Sequence, residues 1–405
     1  MTTEHKKTSV LWILAMLVII VLGVYLRIYS YEKMEGIGFD ENIYRRYVEQ
    51  IAKHGWLHYP EVVEMYITEQ KLAPIAFLPP TRVSFLLAAT SWQGITGMSS
   101  IESVRSISTA ASIILLLGVA AFSKRLGGNR LSIVTTTLMA FAPLPLYMAH
   151  RALIDGFFAT VTFFVMWALW ECLQKAKNTG WLIFYGMCLA VLVLTKENAA
   201  FVYLAILAIL VFHRWLKFGE VTKQLVFVTF LGPLLGAGLL ALAAGGAETL
   251  FTAYLLNVRM SYNLPYAIAT GDGPWFRYLS DLILTSPIII LLAIGGIFRL
   301  EFKDKSAWYF TIFILVTYLI MGNLRYGMNL RYALIWDFPL CYLAGLSLIA
   351  IANLYSSPVR QKTILTTLLI TIVYFQLDNY DNIFIKNEVY DPVPKSLMQA
   401  LNMIK

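Results

Sequence analysis

The sequence predicts an all-α polytopic membrane protein, and three observations carry that prediction. Hydrophobic residues make up 59% of the 405 positions and charged residues only 14%, with a mean hydropathy of +0.67, a balance that one soluble core of this length cannot bury. Apolar runs suited to a hydrocarbon slab of about 30 Å, which takes about 20 helical residues, recur along the chain. Lysine and arginine are also distributed asymmetrically between the short connections, as the orientation rule for membrane helices requires.

About eleven runs read as transmembrane helices: Ser9–Tyr29, Val104–Phe122, Leu131–Ala149, Gly156–Trp170, Trp181–Leu194, Ala199–Phe212, Leu225–Ala244, Leu282–Phe298, Ala307–Met321, Tyr332–Ala352 and Thr363–Leu377. The first follows Lys6 and Lys7, but its apolar part is too long for a cleaved signal and no small-residue cleavage site follows, so it reads as a retained anchor. With the amino terminus cytoplasmic, fifteen lysines and arginines fall on the inner side, from Lys6 and Lys7 through Lys124, Arg125 and Arg130 to Arg360 and Lys362. The short outer connections hold six: Arg151, Lys196, Arg259, Arg277, Arg325 and Arg331. The net charge of +8 is therefore largely a topology signal and gives no reason to expect nucleic acid as a partner.

One domain spanning 1–405 is expected, with an outer loop at 30–103, a second at 245–281 and a short outer tail at 378–405. There is no low-complexity linker and no internal repeat. Within the first loop, Glu41–Trp56 places Ile43, Tyr44, Tyr47, Val48 and Ile51 on one helical face, which predicts an amphipathic helix lying in the interface. The apolar stretch from Pro79 to Gly94 is too short to span and reads as a second interfacial helix. Cys172, Cys188 and Cys341 lie in or at the ends of apolar runs without paired spacing, which points to packing rather than to a disulfide framework or a zinc site. His54 and His58 have metal-ligand spacing on a helix, but two solvated histidines are the favoured reading. No Asn-x-Ser/Thr sequon occurs, which is compatible with a prokaryote.

The predicted outer face carries ionisable residues of both signs, whereas the inner connections carry little beyond topological lysine and arginine. The outer set begins with the adjacent carboxylates of Phe39-Asp40-Glu41-Asn42-Ile43-Tyr44 and continues with His150-Arg151-Ala152-Leu153-Ile154-Asp155 and Thr195-Lys196-Glu197-Asn198, the latter preceded by Leu194. It ends with Gly271-Asp272-Gly273-Pro274-Trp275-Phe276-Arg277-Tyr278, then Arg325 and Arg331-Tyr332. Trp181–Leu194 provides only about 21 Å of helix, so the Lys196 turn is expected below the surface, where charge is tolerated only beside protein or a water-filled cavity. An outward-open cavity lined by lysine and arginine is an anion site, and in a membrane the obvious anion is a lipid phosphate. Structural roles compete with this: Asp40 and Asp155 as helix caps, Lys196 snorkelling and paired with Glu197, Arg325 and Arg331 as interface anchors, and Asp337 paired with a neighbour such as Arg331.

Taken in order, these motifs resemble the GT-C membrane glycosyltransferases, specifically the protein O-mannosyltransferase branch and its bacterial relatives, which include lipid A aminoarabinose transferases. The proline-led helix from Pro79-Pro80, the small-residue span ending at Arg125-Leu126-Gly127, and Pro274 to Leu279 before Pro287 extend the resemblance over nearly the whole chain. Two departures stand out. Phe77-Leu78 replaces a lysine that follows an acidic residue before the double proline, so that phosphate contact is absent or supplied by Arg82; Gly271-Asp272-Gly273 replaces a histidine.

The resemblance implies the GT-C fold and a polyprenyl-phosphate sugar donor, with transfer of a hexosyl or pentosyl group to a hydroxyl-type acceptor on the outer face, with inversion. Asp40, Glu41 and Asp155 are the expected catalytic residues; Lys196, Arg151, Arg325, Arg331 and Arg82 the expected phosphate ligands; Tyr44, Trp275 and Tyr332 the expected substrate contacts. No cofactor is required, and a divalent metal is possible but not indicated. The expected partners are the lipid-linked donor, an acceptor of unknown identity (protein, lipid or glycan) and the bilayer, in a prokaryotic plasma (inner) membrane. The alternative is a transporter or flippase for a lipid-linked or small anionic substrate, which would usually show repeats and a midplane site.

Overall fold

The computed structural model describes residues 3–29, 37–74, 76–262, 271–325 and 327–387. Most of the tail predicted from Asp378, and parts of both long outer loops, lie outside the described residues. The described residues form sixteen α-helices and no strand. In order they are α1 (Thr3–Ile28), α2 (Phe39–His54), α3 (Tyr59–Leu72), α4 (Val83–Thr96), α5 (Ser100–Ala140), α6 (Pro143–Ala149), α7 (Asp155–Gln174) and α8 (Thr179–Thr195). There follow α9 (Ala199–Leu216), α10 (Lys223–Ala243), α11 (Ala247–Tyr262), α12 (Arg277–Thr285), α13 (Pro287–Ile297), α14 (Lys305–Met321), α15 (Leu334–Ala352) and α16 (Pro358–Asn379).

Each predicted apolar run falls largely on helix, but Leu131–Ala149 is broken at Phe141 and Ala142, between α5 and α6. Five helices are long and apolar enough to cross a bilayer outright: α5, α7, α9, α10 and α15 with its leading turn; four more, in α1, α8, α13 and α14, are apolar but shorter. The 41-residue α5 is two antiparallel-running pieces joined at Gly127 and Gly128, whose φ and ψ leave the helical region. Gly128, at φ 74° and ψ −171°, occupies backbone space open essentially to glycine alone. Arg125 in this basic turn donates to the buried Glu171 carboxylate at 3.0 Å, which Lys175 also meets at 2.9 Å, so the turn is pinned to the end of α7. The run predicted at Leu282–Phe298 is split at Ser286 (φ −143°, ψ 58°), because the residue before Pro287 is driven from helical geometry.

Proline also explains a buried arginine within α1. Pro143 has no N–H, so the Met139 carbonyl at the end of α5 cannot be met by the helical donor four residues on. The Arg27 guanidinium takes that role, donating to the Met139 and Ala140 carbonyls at 3.2 and 3.0 Å, to Ser112 at 2.8 Å and to Gly23 at 2.9 Å. Truncation should strand two carbonyls at once. Arg27→Met is therefore expected to lower stability by about 1.5–3 kcal/mol, the range for a lost charged hydrogen bond, read as earlier thermal unfolding in detergent.

The first loop builds a layer of short helices over one end of the bundle. In α2 the apolar face expected from periodicity is the buried one, with Ile43, Tyr44, Tyr47, Val48 and Ile51 inside, and α2 packs on α4 and α5. Helix α3, which the sequence reading left within the loop, packs on α11, itself a helix in a stretch expected to be loop. Leu250, Ala253, Tyr254 and Asn257 recur at helical spacing along α11, a signal weakened by the charged and polar residues around it.

Candidate active site

Five separate turns bring eight ionisable side chains together beneath α2 and α4. The first turn of α2 supplies Asp40 and Glu41, and Tyr44 follows one turn on. The residue capping α4 is Arg82; the turn before α7 gives Arg151 and Asp155; the turn between α8 and α9 gives Lys196 and Glu197; and a 3₁₀ turn, Leu330–Ala333, gives Arg331 and Tyr332.

Glu41 is a structural keystone. Its buried carboxylate accepts from Arg151 Nε at 3.0 Å and Nη2 at 2.5 Å, from the Ala152 amide at 2.7 Å and from the Gly38 amide at 2.6 Å. This bidentate pair ties the start of α2 to the turn before α7. A Cβ on Gly38 would lie 3.1 Å from both Arg151 Nη2 and Glu41 Oε2, so a larger residue there would crowd this pair.

Asp155 lies between two cations. Its Oδ1 accepts from Lys196 Nζ at 2.5 Å, and Arg331 Nε lies 3.5 Å from its Oδ2. Lys196 is buried and also sits 3.8 Å above the Tyr332 ring centre, a cation–π contact that holds the ammonium in place. Arg331 reaches outward as well, donating from Nη2 to Asp40 Oδ2 at 2.6 Å. On the far side, Arg82 donates to Glu197 at 2.8 Å and to the Tyr44 hydroxyl. Burial pushes the Tyr44 phenol well above its ordinary value despite the nearby Arg82 charge, so its hydroxyl stays protonated.

Burial disfavours the Glu197 carboxylate, but the Arg82 and Lys196 charges outweigh it and hold Glu197 below the usual carboxylate range. A carboxyl lowered on folding contributes stability that is complete above its unfolded value near 4.5 and is lost as pH falls through its folded value. Wild-type protein is therefore expected to lose stability on acidification below pH 4.5, and Glu197→Gln to lose less over that window, as read from pH-dependent melting in detergent.

The pairings differ from several sequence expectations. Asp40 and Asp155 make no capping bond: the residues capping α2 and α7 are Gly38 and Ile154, and both carboxylates turn to cations instead. Lys196 pairs with Asp155, not Glu197, and Arg331 pairs with Asp40 and Asp155, not Asp337. Asp337 is buried in the first turn of α15 with Oδ2 unpartnered. Arg325 and Trp275 stand apart from the cluster. Both are exposed and line a cleft of about 410 Å³ with Asp272, Asn323 and Met328. His54 and His58 are exposed on α2 and the turn after it. Glu197, read from sequence among the outer ionisable residues and beside Lys196 but given no site role, joins the cluster through Arg82, 115 positions away.

Four carboxylates and four cations thus interlock in one net-neutral set. The sequence profile of the dolichyl-phosphate-mannose-protein mannosyltransferase family matches residues 83–236, the stretch containing Arg151, Asp155, Lys196 and Glu197. Among solved structures, ArnT from Cupriavidus metallidurans bound to undecaprenyl phosphate is similar, at 15% identity and a TM-score of 0.60 over 90% of this chain and 63% of that one. The archaeal oligosaccharyltransferase AglB from Archaeoglobus fulgidus, in complex with an inhibitory peptide and a dolichol-phosphate, is similar at 12% identity and a TM-score of 0.60 over 93% of this chain and 56% of that one. This chain therefore spans about three fifths of the length of either. No curated protein matches the chain significantly. The chain is a multi-pass membrane protein of the GT-C superfamily fold, carrying the protein mannosyltransferase family's sequence pattern over residues 83–236.

Proposed function

We propose that this protein is a glycosyltransferase that moves a sugar from a polyprenyl-phosphate donor to a hydroxyl-type acceptor at the outer face of the membrane. The observation that carries this reading is the buried Lys196 held against Asp155 in a cluster that Arg331 links to the more exposed Asp40. The dolichyl-phosphate-mannose family profile and the undecaprenyl phosphate held by ArnT support a lipid-phosphate donor. The excess of lysine and arginine in the opposite connections supports placement of the cluster outside.

In the proposed reaction the acceptor oxygen attacks the anomeric carbon from the face opposite the phosphate, so configuration inverts. The new carbon–oxygen bond forms as the bond to the phosphate oxygen breaks, with its electron pair staying on the phosphate. The acceptor proton passes to Asp40, the most exposed carboxylate of the set after Glu197 and the one on the rim of α2. Arg331 and Lys196 stabilise the charge that develops on the leaving phosphate. Glu41 stays locked to Arg151 and fixes the geometry of α2, and Asp155 keeps Lys196 in place.

The reading is tested by offering radiolabelled polyprenyl-phosphate sugars to membranes containing the protein and following label into any acceptor. Transfer above that of membranes lacking the protein supports it. Failure with every donor, in protein that remains folded, refutes it.

A further inference from the structure

The charge balance of the cluster has a consequence for an incoming donor. Among the residues of the cluster no cation stands without a carboxylate: Arg82 holds Glu197, Arg151 holds Glu41, Lys196 holds Asp155, and Arg331 holds Asp40 and Asp155. A phosphate entering here competes with a carboxylate for its cation, and the cost of an exchange depends on what that carboxylate is left with. Stripping Glu41 of Arg151 would strand a carboxylate that is 1% exposed, and stripping Asp155 of Lys196 one that is 3% exposed. The first leaves a buried charge with backbone donors alone and the second leaves one with only the 3.5 Å Arg331 contact, and both are expensive. Glu197 could rehydrate at 32% exposure, but its partner Arg82 is also bound to the buried Tyr44 hydroxyl, a bond that its removal would break.

One pair meets both requirements. Asp40 is 23% exposed and can rehydrate, and Arg331 is 13% exposed and keeps Asp155 as a second partner when Asp40 leaves. Their contact is a single Nη2 to Oδ2 bond of 2.6 Å, without the bidentate geometry that holds Glu41.

We propose that donor binding itself frees the base: the lipid phosphate displaces Asp40 from Arg331, and the carboxylate so released becomes available to accept the acceptor's proton. The inference rests on the glycosyltransferase reading and adds an order to it. Without donor, Asp40 is occupied by Arg331 and the acceptor hydroxyl has no base; with donor, phosphate and guanidinium pair and the base is presented on the side the acceptor approaches. Phosphate and Asp40 compete for one guanidinium, so they are negatively coupled, and the coupling is reciprocal.

The test is the affinity of purified wild-type protein, Asp40→Asn and Asp40→Ala for undecaprenyl phosphate in detergent micelles, with undecaprenol as the uncharged comparison. Removing the competing carboxylate is expected to tighten undecaprenyl phosphate binding by about tenfold in both variants while undecaprenol binding is unchanged. Equal or weaker phosphate binding by both variants overturns the displacement and leaves the donor reading standing. Tightening shared by undecaprenol also overturns it, since that reports a loosened site. No binding of undecaprenyl phosphate by the wild type overturns both.

Discussion

Lys196→Ala is expected to abolish measurable transfer and to destabilise the protein. The ammonium is buried, its Asp155 partner is buried with it, and the two meet at 2.5 Å. Removing one member of such a pair leaves the other charged in a low-dielectric setting, which costs about 3–5 kcal/mol. Arg331 softens that loss only in part, since its Nε stands 3.5 Å from the other Asp155 oxygen. The catalytic loss is separate. A donor aimed at a charge that develops in the transition state contributes about 10² to 10³ in rate, and the leaving lipid phosphate is such a charge. Lys196→Ala/Asp155→Asn separates the two effects: with both charges gone, melting temperature should largely recover while transfer should not. Recovery of transfer would make Lys196 a structural residue only.

Asp40→Asn is expected to leave the fold intact and lower transfer by about 10² to 10⁴, the contribution of a positioned general base. The side chain is partly exposed on the first turn of α2, makes no capping bond there, and meets Arg331 at 2.6 Å, so an amide of the same size fits without a void. The loss should fall on the chemical step, with binding of the lipid phosphate tightened. Glu41→Gln makes an informative contrast, because Glu41 accepts from the Arg151 guanidinium and from two backbone amides. Its neutralisation should appear first as a lower melting temperature, as the α2 anchor loosens. If Asp40→Asn transferred sugar at the wild-type rate, the base would have to be sought at Asp155 or Glu197.

What the sequence made legible follows from what local pattern encodes. The buried face of α2 was readable because Ile43, Tyr44, Tyr47, Val48 and Ile51 repeat at helical spacing, and the ionisable turns were readable because charge is rare in so apolar a chain. The pairing inside the site was not readable, because each bond joins distant turns. Asp155 and Lys196 are 41 positions apart, Glu41 and Arg151 are 110, and Asp40 and Arg331 are 291. Nothing local distinguishes Lys196 with Glu197 from Lys196 with Asp155. Nor does local sequence separate Arg331 from Arg325, which lies in the same connection yet faces the cleft beside Trp275 instead of the carboxylates. Glu197 was given no site role because an acid next to a lysine reads as that lysine's own counter-ion.

The same distinction explains the helices that the hydropathy profile did not resolve. A continuous apolar run such as Leu282–Phe298 carries no hydropathy signal for its break at Ser286; only Pro287 marks it, through the geometry it forbids to its predecessor. Helix α11 has apolar positions at the right spacing, but its flanking glycines and charges resemble a loop.

The central claim is that Asp40 is the base of a lipid-phosphate-dependent transfer and is released by the donor. It is tested most directly by following undecaprenyl phosphate release from one radiolabelled undecaprenyl-phosphate sugar by purified wild-type protein and Asp40→Asn, at saturating donor with acceptor-containing membrane extract. The account predicts turnover by the wild type and a loss of about 10² to 10⁴ in the variant, although the variant holds the lipid phosphate more tightly. Equal turnover by the two proteins would contradict it.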